Sequence, residues 1–332
     1  MSSKEINTSL GVPGEPESRT FSRLYQTLAN PINEIAELTS GFNRLTSLSS
    51  GYRRIVLRCL CSEEVLSQAL QADLPIEAVI PMNLVTDDNS AIVFLGKNYH
   101  DSPHQGRNIE ELISKRNNHK TPIEKIMAIP EGFKLTNELR ETDVEDLFSL
   151  WERFGWNREQ IINFIQSNQD SLWFSAVRDS RSNRLVAAST AEAMEFAGIK
   201  YVETTEYSTL DGYGNLGLCT ASVAGLVAQV LNSQQTSLPV ITAEFNTSST
   251  SAAIGASAGF VIPKIDRVPQ ILSYNVAVTD NAPANPIFEN ESNNRGIPNG
   301  FLRNFAVAVL PRSNIVNLYP PEIVEQIIRL YN

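Results

Sequence analysis

The stretch "GYGNLGLCTASVAGLVAQVL", Gly212 to Leu231, restricts the fold more than any other segment. Gly212, Gly214 and Gly217 come first, and a run of small and apolar residues follows, interrupted only by Gly225. Such a run reads as a buried helix packed through its small residues. The glycines ahead of it allow two readings. Something negatively charged sits on the helix end, or the chain turns tightly into a core helix. The flanking elements have to decide.

The chain has 332 residues, which at about 100–200 residues per domain gives two domains, or one large domain with an extension. With 42% hydrophobic and 19% charged residues it can bury a sizeable core. The formal net charge is −10, with no segregated basic face, which argues against a nucleic-acid partner. The odd cysteine count (Cys59, Cys61 and Cys219) argues against a disulfide framework and for a reducing compartment. Cys59 and Cys61 read as alternate residues of a strand rather than metal ligands, since no second pair matches them. His100 and His104 are spaced as on a helix, but Pro103 breaks one there; with His119 they read as polar loop residues. No metal site is expected. The N-terminus lacks the apolar segment of a signal peptide. No window approaches about 18 consecutive apolar residues, so no membrane contact is expected and the cytoplasm is the expected location.

Residues 1–20 are polar and read as a mobile terminus. Phe21, Leu24, Leu28, Ile32, Ile35 and Leu38 have helical spacing, broken at Pro31. "YRRIVLRCLC" reads as a strand, "SEEVLSQALQAD" as a helix capped by Ser62, "IEAVIPMNLV" and "SAIVFLGKN" as strands, and "GRNIEELISKRNN" as a helix. Residues 21–130 are thus expected to form an N-terminal mixed α/β domain without a chemical motif. From Glu131 onward, "GFKLTNEL" is a strand. Two helices follow, capped by Thr142 and Asn157. "SLWFSAVRD" and "RLVAASTAEAMEF" form a hairpin, and "KYVETTEYSTL" is the next strand. The glycine stretch and its helix come next. "LPVITAEFN" is a buried strand, "TSSTSAAIGASAG" a helix, and "FVIP" and "FLRNFAVAVLP" are strands. Between those two, a segment that can hold a further strand runs into a Pro/Asn-rich loop. "PPEIVEQIIRLYN" closes the chain as a helix.

This element order over residues 131–311 resembles the GCN5-related N-acetyltransferase fold, and the N-terminal addition resembles, more loosely, the β-lysine N-acetyltransferases. The resemblance implies an α/β (α+β) fold: a mixed, mostly antiparallel sheet flanked by helices over residues 131–332, with the additional N-terminal domain. In that family a loop of the form Q/R-x-x-G-x-G/A leads into a helix. Its backbone N–H groups hold the pyrophosphate of acyl-coenzyme A. Here the six positions are Gly214, Asn215, Leu216, Gly217, Leu218 and Cys219, with Thr220 following. Gly217 matches the family's glycine. Gly214 replaces its Gln or Arg, and Cys219 replaces its Gly or Ala. Thr220 and Ser222 offer hydroxyls in compensation. The resemblance also places a donor to the acyl carbonyl among Ser208, Thr209 and Leu210, and a strand end at Asn246. The family often has a tyrosine where Gly255 stands, acting as acid to the departing thiolate. Its absence leaves Ser251, Ser257 or water.

Amine acylation needs a base near the thioester. Glu203 and Glu206, three apart in a strand, are expected on opposite faces, with Glu206 the base. Glu192 or Glu195 is a candidate for binding a cationic acceptor, and Glu244 is a further carboxylate at a strand end. Cys219 reads as a packing residue, since no histidine follows His119 to pair with it. The leading reading is an N-acyltransferase, acetyl by preference, moving the acyl group of acetyl-CoA (acyl-CoA) onto a small-molecule amine; a homodimer is compatible with it. The alternative is a non-catalytic binding or assembly protein on the same fold.

Overall fold

The computed structural model describes residues 23–28, 30–47, 54–98, 120–152, 156–166, 172–233, 239–246, 251–275 and 302–331. Its strands are β1 (Arg23–Thr27), β2 (Arg54–Ser62), β3 (Ile76–Pro81), β4 (Ser90–Asn98), β5 (Phe133–Thr136), β6 (Leu172–Asp179), β7 (Leu185–Phe196), β8 (Ile199–Thr209), β9 (Val240–Asn246), β10 (Ile271–Asn275) and β11 (Leu302–Val309). Its helices are α1 (Ile35–Ser47), α2 (Glu63–Gln71), α3 (Pro122–Met127), α4 (Val144–Trp151), α5 (Arg158–Gln166), α6 (Leu218–Ser233), α7 (Ser251–Ser257), α8 (Arg312–Leu318) and α9 (Pro321–Arg329).

β1 to β4 form a four-stranded sheet in the order β1-β2-β4-β3. β2 and β4 pair antiparallel from Arg54 opposite Asn98 to Ser62 opposite Ser90. Both strands are nearly continuous apolar runs because both faces are covered. Leu57, Cys59 and Leu95 pack under α1 and α2, while Val56, Ile92 and Phe94 face the second sheet. Ser62 caps α2, its hydroxyl accepting the Val65 N–H at 3.3 Å. The helical spacing from Phe21 to Leu38 does not give one helix. Residues 23–27 are β1, parallel to β2, and α1 begins at Ile35. Pro31 disfavours helix before it, and the edge of β2 supplies a ladder that local periodicity does not reveal.

The second sheet has seven strands in the order β10-β11-β9-β8-β7-β6-β5. Every neighbouring pair is antiparallel except β8 with β9. That parallel pair requires a crossover, which α6 provides. α6 is buried on nearly every side, and a side chain at Gly225 would overlap the Tyr331 hydroxyl and stand 2.9 Å from Leu135 Cδ2. Ile126 of α3, Ile315 of α8 and Ile327 of α9 complete the core on this side. On the opposite face, α4 and α5 cover β6 and β7, with Trp151, Phe164 and Phe174 in edge-to-face contact. Beside them the four-stranded sheet covers β8 to β11, Val56 and Ile92 meeting Tyr201, Val240 and Val309. The fold is therefore a mixed, mostly antiparallel sheet flanked by helices, with an added α/β layer from the N-terminal residues.

Local details differ in four places. Thr142 does not cap α4: it lies within a 3-10 turn, and Asp143 accepts the Arg140 N–H at 2.9 Å. Asp143 also takes both Nη atoms of Arg178, at 2.9 and 2.8 Å, a buried ion pair that ties α4 to β6. "FVIP" contributes a single bridge, Val261 to Val309, rather than a strand, and α8 and α3 were not expected. Asn157 does cap α5, exchanging hydrogen bonds with Gln160 at 2.9 and 2.8 Å. The N-terminal tail, the helix read in "GRNIEELISKRNN", the three histidines and the Pro/Asn-rich loop lie outside the described residues.

Candidate functional site

β8 and β9 pair over only four positions, from Tyr201 with Val240 to Thr204 with Ala243. Beyond that they part. β8 continues against β7, Ser208 opposite Ala188 and Thr209 opposite Ala187. β9 continues against β11, ending with Asn246 opposite Phe305. The two parallel strands thus open into a V at their C-terminal ends, the end at which crossover folds accept ligands. Leu210 donates its N–H to Val186 O at 2.9 Å, so of Ser208, Thr209 and Leu210 this last amide is already engaged. Strand alternation then turns the Thr209 amide toward the V.

The loop from β8 to α6 runs along the mouth of the V. Gly212 (φ 87°), Asn215 (φ 64°) and Gly217 (φ 77°) take left-handed backbone conformations, which glycine adopts without strain. The loop is held by Tyr213, whose N–H donates to Leu210 O at 3.1 Å and whose ring meets Phe133 edge-on at 6.0 Å. Gly212, Gly214, Asn215, Leu216 and Gly217 are exposed, and a Cβ on any of the three glycines would meet nothing within 4 Å. The corner is open. Gly217 O accepts the Ala221 N–H at 3.0 Å, which starts α6; the first amides of a helix lack partners within it. Leu218 and Cys219 are buried, so only their backbone can serve at the corner, and Thr220 is half-buried. Ser222 is a correction. It is fully buried, its hydroxyl donating to Ser175 O at 2.6 Å beside Ser189 Oγ at 2.7 Å, and it cannot reach an anion at the corner.

The sheet face opposite α6 carries the carboxylates. A register shift marks a bulge in β8: Ala188 faces Ser208, whereas Thr190 faces Thr205. Glu206 sits in it with φ 57°, a left-handed conformation for a non-glycine residue, and such outliers and bulges gather at functional sites. The bulge overturns the expectation that Glu203 and Glu206 point opposite ways. Glu206 Oε1 accepts the Trp156 indole N–H at 3.0 Å, within the aromatic cluster of α4 and α5. Glu203 shares its face with Tyr201. Both therefore stand on the side away from α6. Glu192 lies directly opposite Glu203 on β7, and desolvation raises its carboxyl above the usual range. On the α6 side, Tyr207 donates its hydroxyl to Thr204 Oγ1 at 2.6 Å, which donates to Thr242 O at 3.0 Å. Burial pushes the Tyr207 phenol up. The Tyr207 ring packs on Phe245 at 5.8 Å. Phe245 also explains Gly255, because any side chain there would overlap its ring.

Beneath the point where the strands part, the two sheets leave a shallow crevice. Glu203 and Glu244 line it from the seven-stranded sheet and Arg58 from the four-stranded sheet. Arg58 is 7% exposed; it donates to the Tyr201 hydroxyl and lies over that ring at 5.0 Å. Tyr201 in turn donates to Met194 Sδ at 2.9 Å. Arg58 and Trp156 carry no sequence signal of their own, since each reaches this face only through the packing of distant elements.

No family model matches the chain, and no curated protein matches it in sequence. Solved structures do. Arabidopsis thaliana NAA60 in complex with a bisubstrate analogue is similar at 12% identity and TM-score 0.38, over 53% of this chain and 96% of that one. A spermidine N-acetyltransferase SpeG chimera from Vibrio cholerae and hSSAT is similar at 10% identity and TM-score 0.37, over 56% and 99%. The ribosomal-protein-S18-alanine N-acetyltransferase from Escherichia coli is similar at 13% identity and TM-score 0.34, over 54% and 93%. Likeness of this degree transfers no residue role or activity to this chain.

Proposed function

We propose that the chain is an N-acyltransferase that moves an acyl group, acetyl by preference, from acyl-coenzyme A to the amine of a small molecule. The observation that carries this reading is the V between β8 and β9, joined by α6 with an open glycine corner at its head. The backbone amides from Gly214 to Thr220 receive the diphosphate, favoured by the positive end of α6. The thioester then lies in the V, where the Thr209 N–H polarises its carbonyl and stabilises the oxyanion. Glu206 takes a proton from the acceptor ammonium. The nitrogen lone pair forms a bond to the thioester carbon, the C–S bond breaks, and the sulfur leaves with its electron pair and takes the remaining proton. Residues 131–332 form the transferase part and residues 21–130 cover the acceptor side.

A thermal-shift titration of the full chain with acetyl-coenzyme A tests this. A ligand that binds only the folded state stabilises it by about 2.7 kcal/mol at a hundredfold excess over its dissociation constant. A clear rise in the midpoint is expected, and no rise at millimolar ligand removes the reading. One observation favours the non-catalytic alternative: Phe245 fills the space a tyrosine at 255 would need. Ligand binding without thiol release, across a panel of amines, would select it.

A further inference from the structure

Two aromatic rings close the α6 side of the V. Tyr207 of β8 and Phe245 of β9 meet across the gap between the parted strands, with ring centroids 5.8 Å apart and planes inclined at 45°. We infer that this pair sets the length of the acyl group, admitting acetyl and propionyl and excluding butyryl and longer chains. The inference rests on the acyl-transfer reading, which puts a thioester in the V, and adds what the V accepts.

Both rings are held in place. The Tyr207 hydroxyl donates to Thr204 Oγ1 at 2.6 Å, and Thr204 Oγ1 donates to Thr242 O at 3.0 Å. The phenol is thereby tied to the last residues over which β8 and β9 pair. Phe245 is 2% exposed, meets Phe260 edge-on at 5.8 Å, and fills the space that any side chain at Gly255 would need. Rings packed in this way do not turn aside without displacing their neighbours. The direction of the donor follows from the corner. With the diphosphate at the mouth and the carbonyl on the Thr209 N–H, the acyl carbons are the part that faces the vertex. Tyr207 stands two residues deeper than Thr209 on the same side of the strand, about 6.6 Å along it. Apolar atoms stop about 4 Å apart. That leaves about 2.6 Å, or one to two carbon–carbon bonds of about 1.5 Å. The vertex itself is shut by the Thr204–Ala243 pair and by the hydrogen bond from Thr204 to Thr242 O. The opposite face carries Glu206 and is left to the amine.

The test is isothermal titration of the full chain with coenzyme A and with acetyl-, butyryl- and hexanoyl-coenzyme A, without any amine. Hexanoyl-coenzyme A should bind the wild-type chain about tenfold more weakly than acetyl-coenzyme A, the cost of forcing extra methylenes against a packed wall. Phe245→Leu and Tyr207→Leu each remove a ring and should bring the two affinities within about threefold of each other. A defect in folding weakens all four ligands alike and cancels in this ratio. The wild-type comparison stands by itself if a variant does not fold. Equal affinity for the acetyl and hexanoyl forms in the wild-type chain, or a ratio that persists in both variants, would overturn the inference. A chain that binds coenzyme A and its acyl forms without regard to length loses this gauge and keeps the transferase reading. One that binds none of the four loses that reading, and the gauge with it.

Discussion

Gly217→Glu separates an anion site from a simple turn at the head of α6. The residue has φ 77° and a Cβ there meets nothing within 4 Å. Any side chain therefore fits, at a backbone cost of about 1–2 kcal/mol for the left-handed conformation. That cost falls on folding and is shared by Gly217→Ala, so comparing the two variants removes it. What remains is charge. A carboxylate about 6 Å from a diphosphate in nearly aqueous surroundings is repelled by ~0.7 kcal/mol for each of its two charges, or ~1.4 kcal/mol in all. The dissociation constant for acetyl-coenzyme A should therefore be about tenfold higher for Gly217→Glu than for Gly217→Ala. The difference should shrink as salt is raised, because the corner is exposed. Gly217→Lys should move the constant the other way by a similar factor. Isothermal titration at low ionic strength reads all three. Equal affinities for the Ala, Glu and Lys variants would refute the claim that a diphosphate rests at this corner.

Other expectations follow from the same geometry. Trp156→Phe keeps an aromatic ring but removes the indole N–H that orients the Glu206 carboxylate, so kcat at neutral pH should fall about tenfold with the affinity for acetyl-coenzyme A unchanged. Unchanged kcat in that variant, or full activity in Glu206→Gln, discards Glu206 as the base. Gly225→Ala gains about 1 kcal/mol of helix propensity but overlaps the Tyr331 hydroxyl and crowds Leu135. It should cost about 1–2 kcal/mol net in denaturant unfolding, partly recovered with Tyr331→Phe. Burial pushes the Cys61 thiol from 9.0 up to about 12 and raises Cys59, Tyr207 and Tyr331 too. The unfolded chain gives up these protons first, so stability holds below about pH 9 and falls from there toward pH 12, by about 1.4 kcal/mol per unit for each group. Cys61→Ala should make that fall less steep, and a flat profile to pH 11 would show that these groups are not protected.

The order of elements from Phe133 to Ser257 and the glycine turn ahead of α6 were legible in the sequence, as were the caps at Ser62 and Asn157. Each depends on residues close along the chain: apolar periodicity, a hydroxyl or amide before a helix, a glycine where φ is positive. The candidate site was legible only in part. Glu206 could be named, but not its side of the sheet, because the bulge that turns it is a mismatch of register between β7 and β8. Gly255 stood out as a missing tyrosine, and only the packed chain shows the Phe245 ring in that space. Arg58 looked like one strand residue among many until two sheets closed on each other. Local sequence determined which segments become strands and helices, and where the backbone must bend. Tertiary structure decided which carboxylates share a face and which side chains reach them, since those depend on pairing and contact between residues far apart in the chain, which no local pattern encodes.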